Sequence, residues 1–77
     1  MGKKIREGKV AYRDLGEAIS RLRKSKGLTL EKLAYEMEIS KGNLSEIERG
    51  IRDARYSTLK AIARGMGISL SELLRGL

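Results

Sequence analysis

The sequence predicts an all-α fold of five short helices. Five segments carry apolar residues at steps of three and four, which is the spacing of a helix that buries one face. No segment shows the strict alternation of apolar and polar residues that a half-buried strand requires. Glycines and small polar residues, which end and begin helices, stand between the segments. At 77 residues, the chain has the length of one small domain.

The segment before the first predicted helix, residues 1–13, is basic and has a single acidic residue. Gly2 and Gly8 disfavour a helix there. We interpret it as a basic N-terminal arm that contacts a polyanion; the alternative is a tail without a ligand or a remnant of expression. The basic residues assigned to the arm are Lys3, Lys4, Arg6 and Lys9.

The folded domain is expected over residues 14–77. Its first helix is predicted from about Asp14, an N-cap candidate, to Gly27. Four apolar residues at helical spacing form the buried stripe of this helix. They are Leu15, Ala18, Ile19 and Leu22.

Two shorter helices follow, separated by residues 38–40, which are enough only for a tight corner. Gly50 comes after the second of them, where a left-handed residue is favoured. Two short helices joined by a three-residue turn form a helix-turn-helix. They are predicted from about Leu30 to Met37 and from about Lys41 to Arg49, with Thr29 and Ser40 as N-caps.

A polar connection from Ile51 to Arg55 comes next, and we expect Ile51 to be tucked under it. Ser69 and Glu72 have the spacing of a capping box, which predicts a fifth helix. The fourth helix is predicted from Tyr56 or Ser57 to Arg64, ended by Gly65-Met66-Gly67, and the fifth from Leu70 to about Arg75.

The composition favours a nucleic-acid ligand. Seventeen lysines and arginines against ten acidic residues give a formal net charge of +7. On a domain this small, such an excess favours binding that releases counterions from nucleic acid. The alternatives are solubility alone or attraction to anionic lipid. Three tyrosines, with no Phe or Trp, are poor material for stacking single strands, so double-stranded DNA is favoured.

The chain contains neither histidine nor cysteine. We therefore expect no enzyme, metal site or cofactor, because no nucleophile–base pair or thiolate site can be assembled. No apolar run reaches membrane-spanning length and none resembles a signal peptide, which predicts a cytoplasmic protein without a membrane partner. Asn43-Leu44-Ser45 and Gly65-Met66-Gly67 are not interpreted as glycosylation or dinucleotide sites.

Several short motifs occur in one register between about Leu15 and Leu74. They are Arg21-Leu22-Arg23, Gly27-Leu28-Thr29, Leu33-Ala34, Ile39-Ser40, Ile47-Glu48-Arg49-Gly50, Ala63, Met66-Gly67-Ile68-Ser69 and Leu73-Leu74. This pattern resembles the Cro/phage-repressor, or Xre, type of helix-turn-helix domain. The resemblance implies a five-helix lambda-repressor-like fold and a sequence-specific transcriptional regulator that acts as a homodimer on a palindromic operator.

In this family the third helix lies in the major groove, with its N-terminal residues at the base edges. Leu44, Ile47 and Glu48 are then expected to face the domain interior. On the opposite stripe, a lysine suits guanine and a glutamate suits cytosine. The alternative is an ordinary solvated helix face. The base-contacting residues that the resemblance implies are Lys41, Gly42, Asn43, Ser45 and Glu46.

The resemblance also implies phosphate contacts, at the positive N-terminus of the second helix and beyond the third. Family members often carry Gln at the position of Leu30, and here only its backbone and Thr29 remain for this contact. The implied phosphate-contacting residues are Thr29, Leu30, Ser40, Arg49, Arg52 and Arg55. The basic arm would follow phosphates or enter a minor groove.

Two further family features concern structure. Relatives often form a buried ion pair at the positions of Arg23 and Glu48, neither of which is tolerated buried alone. The turn usually carries Gly at the position of Glu38, which adopts positive φ, so we expect Glu38 to cost about 1 kcal/mol. Ala54 and Arg55 replace a common Pro and Ser before the fourth helix and leave its start open.

A dimer doubles the DNA sequence that one domain reads. Its interface is assigned to Leu70, Leu74 and Leu77, with the connection after the third helix sharing it. No small-molecule ligand is expected at this length. The alternative function is a protein-interaction module, such as an antitoxin or a polymerase-associated adaptor, with non-specific affinity for nucleic acid.

Overall fold

The computed structural model describes residues 12–77, which form five α-helices and no strand. This confirms the predicted all-α class and the predicted element order. The helices are α1 (Arg13–Ser25), α2 (Leu30–Met37), α3 (Lys41–Glu48), α4 (Tyr56–Met66) and α5 (Leu70–Leu73).

The core takes at least one side chain from every helix. Burying an aliphatic side chain of this size contributes about 1.5–3 kcal/mol relative to leaving it exposed. α1 packs on α3 and α5, and α2 packs on α3 and α4, so α3 is held from two sides. The largest fully buried side chains are Ile19, Leu33, Leu44, Ile47, Ile62 and Leu73.

The predicted start of the first helix and the predicted position of Ile51 are wrong. α1 begins at Arg13 with Tyr12 as its N-cap, while Asp14 lies in the first turn and accepts from the N–H of Leu15. The helix starts earlier because the N–H of Tyr12 donates to the carbonyl of Gly50. Ile51 is 40% exposed, whereas Ala54, later in the same connection, is buried in the core.

The predicted ends of the last three helices are also corrected. α4 continues to Met66, because Gly67, with φ +73°, is the residue that adopts the left-handed conformation. Gly65 lies inside α4, where a Cβ would come within 2.9 Å of Leu33 Cδ1. α5 stops at Leu73 instead of Arg75, and Arg49 is the C-cap of α3 rather than its last residue.

The turn between α2 and α3 confirms the expected positive φ at Glu38. Glu38 is the C-cap of α2 with φ +61°. Glu38→Gly is expected to raise the free energy of unfolding by about 1 kcal/mol, because glycine adopts this conformation without a Cβ clash. Urea unfolding followed by circular dichroism measures it. The matched control, Glu36→Gly inside α2, should instead lose about 1 kcal/mol, and a Glu38→Gly variant that also loses stability would contradict the interpretation.

No helix between residues 12 and 77 is long and apolar enough to cross a membrane.

Candidate nucleic-acid interface

Both helices of the helix-turn-helix begin at a hydroxyl N-cap, as the sequence predicted. Thr29 Oγ1 accepts from the N–H of Lys32 at 3.0 Å, and Ser40 Oγ accepts from the N–H of Asn43 at 3.0 Å. These bonds satisfy one orphan N–H at each helix start and leave the others directed outward along the helix axis. The N-termini of α2 and α3 can therefore both offer donors to an anion.

α3 is fixed to α1 by an ion pair. Arg23 Nε donates to Glu48 Oε2 at 2.7 Å and Arg23 Nη2 to Glu48 Oε1 at 3.1 Å, with side chains only 11% and 9% exposed. A third donor, Arg23 Nη1, binds the carbonyl of Leu28 at 2.8 Å and so ties in the start of α2. The hydrogen bond to Glu48 raises the pKa of Arg23; burial opposes this shift and the charge of Glu48 adds to it.

The backbones of α1 and α3 also meet directly. A Cβ on Gly16 would lie 2.5 Å from the carbonyl oxygens of both Ile47 and Glu48. Gly50, at φ +80°, leaves room for the backbone of Arg13 in the same way, since a Cβ there would lie 2.7 Å from its Cα. The C-terminal end of α3 is thereby pressed against the first turns of α1, which sets the direction in which α3 points.

The two ends of the predicted base-contacting stripe differ in their exposure and in their hydrogen-bond partners. Lys41 is exposed, and its Nζ donates to Glu31 Oε2 on α2 at 2.8 Å. This hydrogen bond lowers the pKa of Glu31 below its ordinary value. Gly42 is exposed, and a Cβ added there would meet nothing within 4 Å. The N-terminal turn of α3 is therefore open to a partner.

Farther along the stripe, Ser45 and Glu46 are half-buried. Ser45 Oγ lies 3.4 Å from Arg49 Nε, and Glu46 Oε1 accepts from Arg52. Each polar side chain of the stripe in this turn therefore has a basic neighbour farther along the chain.

Asn43 lies apart from this stripe. It is half-buried, and its Oδ1 is buried with no hydrogen-bond partner between residues 12 and 77. It lines an open cavity of about 270 Å³ between α3 and the following connection, together with Ile47, Arg52, Asp53, Arg55 and Thr58. A buried acceptor normally has a hydrogen-bond partner, and Asn43 Oδ1 has none among the described residues. Since this oxygen is buried, the Asn43 side chain must rotate outward before it can contact a base.

The structure places the predicted phosphate-contacting residues in two groups. Thr29, Leu30 and Ser40 stand at the starts of α2 and α3, while Arg49, Arg52 and Arg55 follow the end of α3. Arg49 and Arg55 are exposed and have no ion-pair partner within the described part of the chain, whereas Arg52 pairs with Glu46.

The predicted arm residues Lys3, Lys4, Arg6 and Lys9 lie outside the described residues. Of the leucines assigned to the dimer interface, Leu70 and Leu74 are half-buried against the core, and Leu77 is 52% exposed. Between residues 12 and 77 no group of three or more acidic side chains is placed to hold a metal ion.

Sequence reasoning missed three contacts of this site: Glu31 with Lys41, Arg52 with Glu46, and the approach of α3 to Gly16. The opposite charges of the first two pairs were visible in the sequence. Their spacings of ten and six residues, however, match no pairing rule within one helix.

Comparisons with known proteins agree with this geometry. A model of the helix-turn-helix family matches residues 19–73. An uncharacterised HTH-type transcriptional regulator of Sinorhizobium fredii, y4dJ, is 38% identical over 60 residues, covering 78% of each chain.

Two solved structures are similar as well. The clp gene regulator ClgR of Corynebacterium glutamicum superposes with a TM-score of 0.79 at 35% identity, over 82% of this chain and 67% of ClgR. SinR, the master regulator for biofilm formation, solved in complex with DNA, superposes with a TM-score of 0.72 at 31% identity, over 78% of this chain and 97% of the SinR chain. With its paired helices, its N-caps and the family match over most of its length, the chain belongs to the Cro/phage-repressor (Xre) family of helix-turn-helix proteins.

Proposed function

We propose that this chain is a sequence-specific transcriptional regulator that binds double-stranded DNA with α3 in the major groove. The observation that carries the proposal is the division of α3 into two faces. Leu44 and Ile47 are buried in the core, while Lys41 and Gly42 are exposed at the N-terminal turn. A helix anchored in this way presents its first turn to base edges.

The charge distribution supports a DNA ligand. The net charge of +7 favours binding to the phosphate backbone in any sequence. Arg49 and Arg55 are free to contact phosphates beside α3, and the N-terminus of α2 at Thr29 offers a further anion site. These contacts position the domain, and the side chains of α3 supply the sequence preference.

The proposal includes a homodimer on a two-fold operator. One α3 of two turns reads only a few base pairs, and a second copy supplies the other half-site about 34 Å away. The apolar side chains available for an interface are Leu77, at 52% exposure, and Ile51, at 40%, with Leu70 and Leu74 partly covered. Ile51 lies in the connection after α3.

The test is selection of random duplex DNA by the purified protein at physiological salt. We expect an inverted repeat whose half-sites are one helical turn apart. An enriched single half-site would contradict the dimer. Enrichment of no sequence, with binding that vanishes as salt rises, would contradict specific recognition and favour the protein-interaction module.

Lys41→Ala is expected to change the preferred base at one position of each half-site and to reduce discrimination there by about tenfold, because a lysine contact to guanine is lost. The matched control is Lys32→Ala, which removes the same charge from α2, where Lys32 pairs with Glu36 at 3.4 Å. The control should bind all sequences slightly more weakly and keep the same preference. Binding to the selected and the mismatched duplexes, measured by fluorescence anisotropy, gives both values; an unchanged preference in Lys41→Ala would remove Lys41 from the base contacts.

A further inference from the structure

Glu46 and Arg52 form the tightest contact on the exposed side of α3. Arg52 Nε lies 2.7 Å and Arg52 Nη2 lies 2.6 Å from the same atom, Glu46 Oε1. Glu46 lies in the C-terminal half of α3, and Arg52 lies six residues later, in the connection to α4. The charge-assisted hydrogen bond from Arg52 Nε, with Nη2 beside the same oxygen, therefore restrains the direction of the Glu46 side chain.

This pairing uses only half of the carboxylate. Glu46 Oε2 accepts no hydrogen bond from any residue between 12 and 77, and the Glu46 side chain is 38% exposed. A carboxylate oxygen accepts hydrogen bonds and donates none, so the free oxygen selects a donor such as the amino group of cytosine. Arg52 holds the other oxygen and thereby limits the directions in which this acceptor can point.

The pair also reduces the electrostatic repulsion between Glu46 and DNA. A lone carboxylate on a surface that approaches DNA is repelled by the negatively charged phosphates. Arg52 compensates the negative charge of Glu46, so the net charge of the pair is zero. Arg55, by comparison, has no ion-pair partner within residues 12–77.

We propose that Arg52 is a specificity-determining residue that acts through Glu46, rather than a phosphate contact that is indifferent to sequence. This role rests on the proposed function, because it requires α3 to lie at base edges. The resemblance to the family implied the opposite for Arg52, as one of the three arginines among the phosphate-contacting residues. Arg52 differs from Arg49 and Arg55 in its short distances to a carboxylate, that of Glu46.

The experiment measures binding of the wild-type chain and its variants to the selected operator and to a scrambled duplex, at several salt concentrations. In Arg52→Ala, we expect the ratio of the two affinities to fall by about fivefold, the upper end for an exposed ion pair. Removing Arg52 leaves the Glu46 carboxylate uncompensated, so the salt slope should fall by about one whether Arg52 positions Glu46 or contacts a phosphate. The ratio of affinities distinguishes the two roles, because the loss of a phosphate contact would leave it unchanged.

Two further variants separate orientation from charge. Arg52→Lys keeps the positive charge but loses the two-nitrogen contact, so its ratio should fall as well. In a Glu46→Gln background, Arg52→Ala should change the ratio much less than in the wild type, because the group it positions is already altered. Urea unfolding of each variant establishes that the domain remains folded.

The matched control is Arg55→Ala, which removes an unpaired arginine from the same connection. It should weaken binding to both duplexes equally and lower the salt slope by about one. If Arg52→Ala behaves like this control, while the wild type discriminates between the duplexes, the role proposed for Arg52 is overturned and the proposed function stands. If the wild type itself binds both duplexes equally, both are overturned.

Discussion

Gly16→Ala is expected to lower the free energy of unfolding by about 3 kcal/mol, although alanine is the better helix former. The new Cβ would lie 2.5 Å from the carbonyl oxygens of Ile47 and Glu48 and 2.8 Å from the carbonyl carbon of Glu48. All three are backbone atoms, so no side chain can rotate to make room. α1 and α3 must therefore move apart, which loosens the core that both helices share. Urea unfolding followed by circular dichroism measures the loss.

Gly42→Ala is the matched control, because Gly42 also lies within a helix but a Cβ there meets nothing within 4 Å. This variant should gain about 0.5–1 kcal/mol from helix propensity alone. Opposite signs for the two alanine substitutions would establish that contact with α3, and not helix propensity, decides the residue at position 16. A Gly16→Ala variant as stable as the wild type would show that the helices separate without cost.

Arg23→Met is expected to lower the free energy of unfolding by about 3–5 kcal/mol, because it leaves the Glu48 carboxylate buried without its partner. Glu48 is only 9% exposed at its side chain and accepts both of its side-chain hydrogen bonds from Arg23. Arg23→Met with Glu48→Leu should recover most of this loss, since well-packed apolar residues replace a buried pair at little cost. A double-mutant cycle in urea gives the coupling between the two positions.

The control for this cycle is the pair Arg13–Glu17, also at 3.1 Å but with side chains 66% and 63% exposed. Arg13→Met should cost at most about 0.5 kcal/mol, because water screens an exposed pair within one helix. Similar losses at Arg13 and Arg23 would mean that burial is not what makes the Arg23–Glu48 pair important.

Both expected effects concern the direction of α3 rather than its existence. A helix of eight residues is too short to be stable alone, so its direction comes from the surfaces it packs on. Gly16 and Arg23 hold it from α1, while Leu44 and Ile47 anchor it in the core. A recognition helix that is displaced by even a small distance presents its side chains to the wrong base edges. We therefore expect these two positions to affect DNA binding as well as stability.

Local features of this protein were predictable because their causes are local. The apolar steps that define α2 and α3, and the hydroxyls of Thr29 and Ser40 at their starts, act within a single helical turn. Positive φ at Glu38 was predicted from the family resemblance, and its presence is confirmed. Errors arose where a helix boundary depends on a distant contact. The start of α1 is an example, because it is set by the hydrogen bond from the N–H of Tyr12 to the carbonyl of Gly50.

The sequence and the family resemblance supplied a set of residues for the candidate site, but they did not supply the arrangement of those residues. The charges of Lys41, Glu46 and Arg52 are evident in the sequence, and the resemblance assigned them to base and phosphate contacts. Their partners are not evident, because Glu31 meets Lys41 across the turn and Arg52 folds back from the connection onto α3. Such pairs depend on the path of the chain between them, which no periodicity encodes.

By itself, the sequence determined the all-α class, the helix-turn-helix and the net positive charge. These follow from spacing, capping chemistry and composition, which act over a few residues or over the whole chain. The family was identified separately, from the resemblance of its motifs. Apart from the Arg23–Glu48 pair, which the resemblance implied, only the tertiary structure decided which charges are paired. It also decided how closely α1 approaches α3 and which side chains of α3 remain exposed. Those properties depend on distances between backbones far apart in sequence. A Cβ on Gly16 would lie 2.5 Å from carbonyl oxygens at the end of α3, so a single added methyl group would force the two helices apart.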